Sequence, residues 1–320
     1  MRYDVCALGE TLIDFTTYGE SDQGNTVFEA CPGGAPCNVL TMLTKLGRDT
    51  AFIGKVGKDQ FGKTLIETIK KVGVETKGIV EDEKVNTTLA FVHTFPDGDR
   101  DFSFYRNPGA DMMLTSEEVD FDLIKDSKVF HFGTLSMTSE PVYGATMEAL
   151  KVAKENNVLI SFDPNLRPPL WDTLERAKEM MELGFAQCDI LKISDNEIQF
   201  VTGVEDYDEG IRIIREKYNI PLVFLTMGKD GSRAYYKDIR VEMPGYKVET
   251  IETTGAGDTF TACGIGGVLE HGIENLNKEN LAEIIDFANA AAACTTTRKG
   301  AILSMPDIEE VEALRNKSRQ

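Results

Sequence analysis

Short apolar runs alternate with longer amphipathic segments along most of this chain. Val5–Leu8, Ala51–Val56, Lys128–Phe132, Val158–Phe162, Ile190–Ile193 and Leu222–Thr226 are apolar almost throughout. Between them helical spacing recurs over 34–46, 60–72, 141–156, 172–186 and 206–218. Strands apolar on both faces and separated by helices predict an α/β fold, a mainly parallel sheet sandwiched by helices. Two regions break the rhythm. Residues 11–30 read as short strands around a polar turn from Gly19 to Asn25. Residues 87–105 alternate with period two across Pro96-Asp97-Gly98, a hairpin signature. Together they predict an inserted antiparallel flap of about four strands.

One stretch, "IETTGAGDTF" at 251–260, carries chemistry. The apolar run from Phe260 to Leu269 stops at His271-Gly272, so Gly255 to Asp258 form the first turn of a buried helix. The N–H groups there have no partner within the helix and carry the positive end of its dipole. Gly255, Ala256 and Gly257 are small enough to let an anion approach. Asp258, next in line, is either a helix cap or a base.

Composition narrows the partners. The 320 residues are 42% hydrophobic and 27% charged, enough for a large core. A net charge of −19 argues against sequence-independent binding to nucleic acid or anionic membrane. Six scattered cysteines without a CxxC pair read as reduced core thiols. The N-terminal "YDVCALGE" reads as a strand rather than a signal peptide, and no run approaches the length of a membrane span; a cytoplasmic protein is expected.

"GKDQFGKT", Gly57 to Thr64, satisfies the P-loop pattern between a strand and a helix. Its residues argue otherwise. Asp59 would set a carboxylate inside a phosphate loop and is better read as the N-cap of the next helix, accepting from Phe61 or Gly62. Phe61 is a core anchor, and Lys63 then becomes a surface lysine.

Several motifs in order resemble the ribokinase-like (PfkB) sugar kinases. "TTGAGDTF" resembles their C-terminal signature, and "PGGAPCNVL" (32–40) their sugar-binding glycine pair with its asparagine. "GKVGKDQFG" (54–62), "TMGKDGS" (226–232) and "NAAAACTTTRKGAI" (289–302) are similar to further family segments. "FDPNLRPPLW" (162–171) and "YRNPGAD" (105–111) resemble the fructokinase branch. The likeness spans almost the whole chain. It implies a doubly wound body, a β-sheet lid formed by about 11–32 and 86–112, and ATP-dependent phosphorylation of a sugar hydroxymethyl group. D-fructose at its 6-hydroxyl is the expected acceptor. Within the family, 2-keto-3-deoxygluconate, whose acid group needs a dedicated cation, and ribosyl nucleosides are the alternatives. A non-catalytic sugar sensor on this fold is expected to have lost Asp258 or the glycine turn, and both are intact.

The resemblance also assigns roles. Asp258 becomes the base that takes the proton of the attacking hydroxyl, with Gly255, Ala256 and Gly257 as the anion hole. Gly33 and Gly34 let a sugar lie against backbone; Asn38 and Asp14 meet its hydroxyls. Asn165 and Arg167 follow a strand, where open α/β sheets place ligands; Arg167 is a phosphate clamp or a loop salt bridge, and Arg106 in the lid carries the same ambiguity. Thr226, Gly228 and Gly231 match the family's nucleotide turn, Lys192 ends a strand within reach of a phosphate, and Asn289 packs the base or bridges helices. The family's NxxE motif reads Ser194-Asp195-Asn196-Glu197, so Mg²⁺ is expected to be handled through water at Glu197. Potassium-binding members tend to carry aspartate where Glu252 stands, which leaves a K⁺ site open. Leu89, Phe91 and Phe95 are too apolar for a strand exposed on both sides, so the lid predicts a homodimer, with Phe91, His93 and Phe95 on one face.

Overall fold

β4 (Thr50–Gly57) is buried at all eight positions, which only a strand covered on both faces can achieve. It belongs to a nine-stranded sheet in a computed structural model that describes residues 1–94 and 100–318. In chain order the elements are β1 (Tyr3–Leu8), β2 (Leu12–Glu20), β3 (Thr26–Gly33), α1 (Ala35–Lys45), β4, α2 (Gln60–Lys71) and β5 (Glu75–Asp82). Then come β6 (Leu89–Thr94), β7 (Arg100–Tyr105), α3 (Phe121–Lys125), β8 (Ser127–Gly133), α4 (Val142–Glu155) and β9 (Leu159–Asp163). α5 (Leu174–Phe185), β10 (Ile190–Ser194), α6 (Asp195–Thr202), α7 (Tyr207–Tyr218) and β11 (Leu222–Thr226) follow. The chain ends with β12 (Ser232–Tyr236), β13 (Ile239–Met243), α8 (Ala256–His271), α9 (Lys278–Thr295) and α10 (Ile308–Ser318).

The large sheet runs β13-β12-β11-β10-β9-β8-β1-β4-β5, parallel except for β12 and β13. Its order reverses about β1, which pairs with both β4 and β8. One face packs Phe130, Phe132, Phe162 and Phe185, with Phe132 and Phe162 stacked at 4.6 Å. The other buries Phe52, Phe224 and Phe260 under α1, α8 and α9. Every predicted strand and helix is present within a few residues. β5, β12 and β13 were not predicted: they lie at or next to the sheet edges and carry polar residues that dilute the apolar signal.

The second sheet has four strands in the order β3-β2-β6-β7. It differs from expectation in one respect: β2 and β6 pair in parallel, so the sheet is mixed. Four elements of the large body, α1, β4, α2 and β5, stand between β3 and β6 in the chain, and that long crossover lets β6 enter in the same sense as β2. The Pro96-Asp97-Gly98 turn, Phe95 and the side chain of His93 lie outside the described residues. Asp59 caps α2, accepting from Gly62 N at 2.8 Å, and it also accepts from Thr87 N at 2.8 Å. All six cysteines are free and buried. No helix among the described residues is long and apolar enough to cross a membrane.

Candidate active site

The C-terminal ends of β9, β10 and β11 deliver Asp163, Ser194 and Thr226 to one rim of the sheet, and the N-terminus of α8 meets them there. Gly255 takes φ +79°, a left-handed turn into the helix that a side chain resists. Ala256 N–H is turned back onto Thr253 O at 3.3 Å, so Ala256 contributes less to an anion hole than the sequence suggested. Gly257 faces Lys192 closely: a Cβ at that glycine would stand 3.1 Å from Lys192 Nζ. An ammonium and a first-turn amide therefore converge on one point, suited to a phosphoryl group.

Asp258 is buried, and Asn38 Nδ2 donates to its Oδ2 at 2.8 Å. Burial pushes its carboxyl up to about 6; the Asn38 bond and the charges of Lys192 and Arg167 oppose the rise, and Asp163 adds to it. Such a carboxylate is ionised near neutrality yet basic enough to accept a proton. Lys192 pairs with Asp163 at 3.1 Å. Burial works against its charge, but Asp163, Glu197 and Asp258 outweigh it and hold the ammonium's pKa up.

A cleft of about 1140 Å³ opens from this point along the sheet rim. Its walls carry Arg167, Lys192, Thr226, Gly228, Gly231 and Asn289, and Gly257 lies at its inner end. Gly228 and Gly231 both have positive φ, and a Cβ on Gly231 would collide with Met243 O. Position 231 therefore takes only glycine. Asn289 donates through Nδ2 to Met243 O and Pro244 O, both at 3.1 Å, and so fixes the strand end that borders the cleft. Glu197 forms a capping box with Ser194: its Oε2 accepts from Ser194 N and Oγ, and its Oε1 from Leu166 N, each at 2.8 Å. Its carboxylate is thus engaged on both oxygens.

Asp258 also borders a second, small cavity together with Glu10, His131, Asp163 and Asn165. Gly34 caps α1 at φ +115°, where a Cβ would press 2.5 Å from Glu10 O. A Cβ on Gly33 would meet the Asp14 carboxylate at 2.6 Å. Burial pushes Asp14 up to about 7, opposed by Arg167 and reinforced by Glu252 and Asp258. Asn165 sits in the left-handed region at φ +46°, and Arg167 Nη1 donates to Leu166 O at 3.2 Å. Of the two readings left open for Arg106, the structure shows the salt bridge. Arg106 is buried, with Nε 2.7 Å from Asp111 Oδ2 and its other nitrogens on Thr138 Oγ1 and Leu135 O. Asp111, five residues on, claims the guanidinium that a ligand would need. Glu252 accepts from Thr254 Oγ1 and Gly300 N, which ties two loops together.

Sequence reasoning missed Asp163, Glu10 and Asp111. Asp163 and Glu10 each follow a predicted strand, the place where such sheets present ligand-facing groups, and that position was the available signal.

The profile of the pfkB family carbohydrate kinases matches residues 2–308. The chain is 42% identical over 314 residues to the probable fructokinase-5 of Arabidopsis thaliana, covering 97% of this chain and 96% of that protein. The fructokinase of Xylella fastidiosa with bound ATP superposes with a TM-score of 0.91 at 29% identity, with both chains wholly covered. The fructokinase of Vibrio cholerae in its fructose, ADP and calcium ion bound form gives a TM-score of 0.88 at 28% identity, covering 98% of this chain and 99% of that one. This chain belongs to the pfkB family of carbohydrate kinases.

Proposed function

We propose that this protein is an ATP-dependent fructokinase that phosphorylates the 6-hydroxyl of D-fructose. The observation that carries the reading is the buried Asp258 carboxylate, held by Asn38 beside the glycine turn where Lys192 and the α8 amides converge. Fructose binds on the side of Asp14, Gly33, Gly34 and Asn38, and ATP lies in the long cleft. The 6-hydroxyl oxygen attacks the γ-phosphorus in line. Its bond to phosphorus forms as the bond from phosphorus to the β,γ-bridging oxygen breaks. The hydroxyl proton passes to Asp258, and ADP carries away the electron pair. Gly257 and Lys192 stabilise the charge on the transferred group.

Mg²⁺ suits this donor set. Among the described residues no group of three carboxylate, histidine or cysteine side chains could cage an ion. Magnesium needs no cage when phosphates and water supply most of its shell. When bound with ATP it would supply neutralisation of phosphate charge, and Glu197, with both oxygens already accepting protein donors, would hold it through a water.

A sugar acid would need a cation; Asp111 already neutralises Arg106, which leaves Arg167, bonded to the Leu166 carbonyl, as the group for it. The small sheet acts as the lid, and its exposed Tyr18, Val27 and Tyr105 support a homodimer through it; a monomeric mass by light scattering at micromolar concentration would count against that. A coupled assay of ADP release with fructose, ribose, glucose, 2-keto-3-deoxygluconate and nucleosides tests the assignment. Fructose should give the highest kcat/KM, with fructose 6-phosphate identified by NMR; a higher value with another acceptor overturns it.

A further inference from the structure

Asp163 links Lys192 to α8 and to the Asn165 loop. Its Oδ2 lies 3.1 Å and its Oδ1 3.3 Å from Lys192 Nζ. Thr261 Oγ1 donates to Oδ2 at 3.1 Å, and Asn165 N donates to Oδ1 at 3.2 Å. The side chains of the ion pair are only 8% and 5% exposed. Thr261 also bonds Gly257 O at 2.9 Å, one turn back along α8. One carboxylate therefore joins β9, β10, the loop of Asn165 and the helix that bears Asp258.

We propose that Asp163 is a positioning residue for phosphoryl transfer, holding the Lys192 ammonium against Gly257 and away from the Asp258 carboxylate. The inference rests on the kinase reading above. Lysine carries its charge on a flexible four-carbon stem, so something must fix it. Lys192 feels three carboxylates, Asp163, Glu197 and Asp258. If it swung onto Asp258 it would neutralise the base and leave the phosphate without its cation. Asp163, held by two further donors, wins that competition.

The charged and titratable groups around Asp258 are Asp163 from β9, Arg167 from the loop after β9, Lys192 from β10 and Asp14 from β2. Glu10 and His131 border the same small cavity. Burial and the Lys192 charge push His131 down to about 3, so it stays neutral, whereas burial pushes Glu10 up to about 7.

Asp163→Asn keeps the shape and an acceptor for Thr261 but removes the charge. It should lower kcat on the order of 10²-fold, the cost of a misplaced reacting group, with a much smaller change in fructose KM. It should also move the acid limb of kcat/KM to lower pH, because losing one anion and admitting Lys192 both favour ionised Asp258. Carboxyl ¹³C titration of Asp258 without substrate should show the same shift, and this readout survives even if fructose proves to be the wrong acceptor. Adding Lys192→Met should cost little more, since both changes remove one device. A folded Asp163→Asn enzyme with near-normal kcat, or with Asp258 titrating as in the parent, overturns the proposal. Should that variant not fold, Asp163→Glu decides: it keeps the charge, so kcat should fall while the acid limb stays, and a parental kcat overturns the idea.

Discussion

Asn38 and Asp258 face each other across 220 residues of sequence, and the contact is one-sided. Asn38 Nδ2 donates to Asp258 Oδ2 at 2.8 Å, while Asn38 Oδ1 is buried with no hydrogen-bond partner among the described residues. A buried amide oxygen left unpaired is costly, and a sugar hydroxyl is a donor of the right kind to satisfy it. On the proposed reading the same side chain orients the base and receives the acceptor.

Asn38→Ala tests both halves of that relationship. Losing a sugar partner worth ~1–3 kcal/mol should raise the fructose KM by ~5–150-fold. Losing the donor to Asp258 should raise that carboxyl further, since the bond now opposes the effect of burial. The acid limb of kcat/KM should therefore move to higher pH. A raised KM with an unmoved limb would confine Asn38 to the sugar.

Asp14 should make sugar affinity depend on pH. Burial pushes its carboxyl up to about 7, so in the free enzyme it is largely protonated below that pH and ionised above it. The ionised form offers more acceptors to hydroxyl donors. The fructose KM should fall as pH rises from about 6 to about 8, across the titration of such a raised carboxyl. In Asp14→Asn the KM should be high and flat, with the ATP KM little changed. Parallel KM profiles for parent and variant would remove Asp14 from the sugar site.

The two candidate phosphate lysines should separate cleanly. Lys63, in the P-loop-like segment, has a side chain 64% exposed and lies 3.9 Å from Glu67. Lys63→Met should leave the ATP KM within about twofold, as expected for a surface change. Lys192→Met should both raise the ATP KM and depress turnover. The reverse pattern would restore the P-loop reading.

That segment also shows what was legible in the sequence. The glycine turn before Asp258, the Gly33-Gly34 pair and the buried parallel strands are local signals, and each is where its pattern implied. Asp59 was readable as a cap because capping acts over three residues. The pairing of Asp163 with Lys192 and Thr261 spans 29 and 98 residues, and no local pattern encodes it. The ambiguity at Arg106 has the same origin. A basic residue in a lid motif reads as a ligand group or a salt bridge, and only the fold shows Asp111 paired with it. The parallel entry of β6 beside β2 was also hidden, since periodicity gives the faces of a strand but not its direction.

Asp258→Asn separates chemistry from stability most sharply. As general base, Asp258 should contribute ~10²–10⁴-fold to turnover, and asparagine cannot take the hydroxyl proton. Its effect on folding has the opposite sign. The folded-state pKa of about 6 stands above the ordinary 3.8, so the folded protein binds the proton more tightly than the unfolded chain does. Stability from this group is complete below the unfolded value, falls as pH rises to about 6, and stays lost above it. At ~1.4 kcal/mol per pKa unit, ionised Asp258 costs the fold roughly 3 kcal/mol at neutral pH, to order of magnitude. Asn38 can still donate to the amide oxygen of an asparagine at 258. The variant should thus melt higher than the parent at pH 7 to 8, and the gain should shrink as the pH is lowered toward about 4, where the parent carboxyl is protonated in the folded state. Its turnover should be down by at least ~10²-fold at every pH. A helix cap replaced by an equally good cap would leave both the melting profile and the rate near the parent's. Retained kcat with fructose and Mg-ATP would reduce Asp258 to that role, whereas lost turnover together with a pH-dependent gain in stability identifies a carboxylate kept ionised, at a cost to the fold, for the reaction.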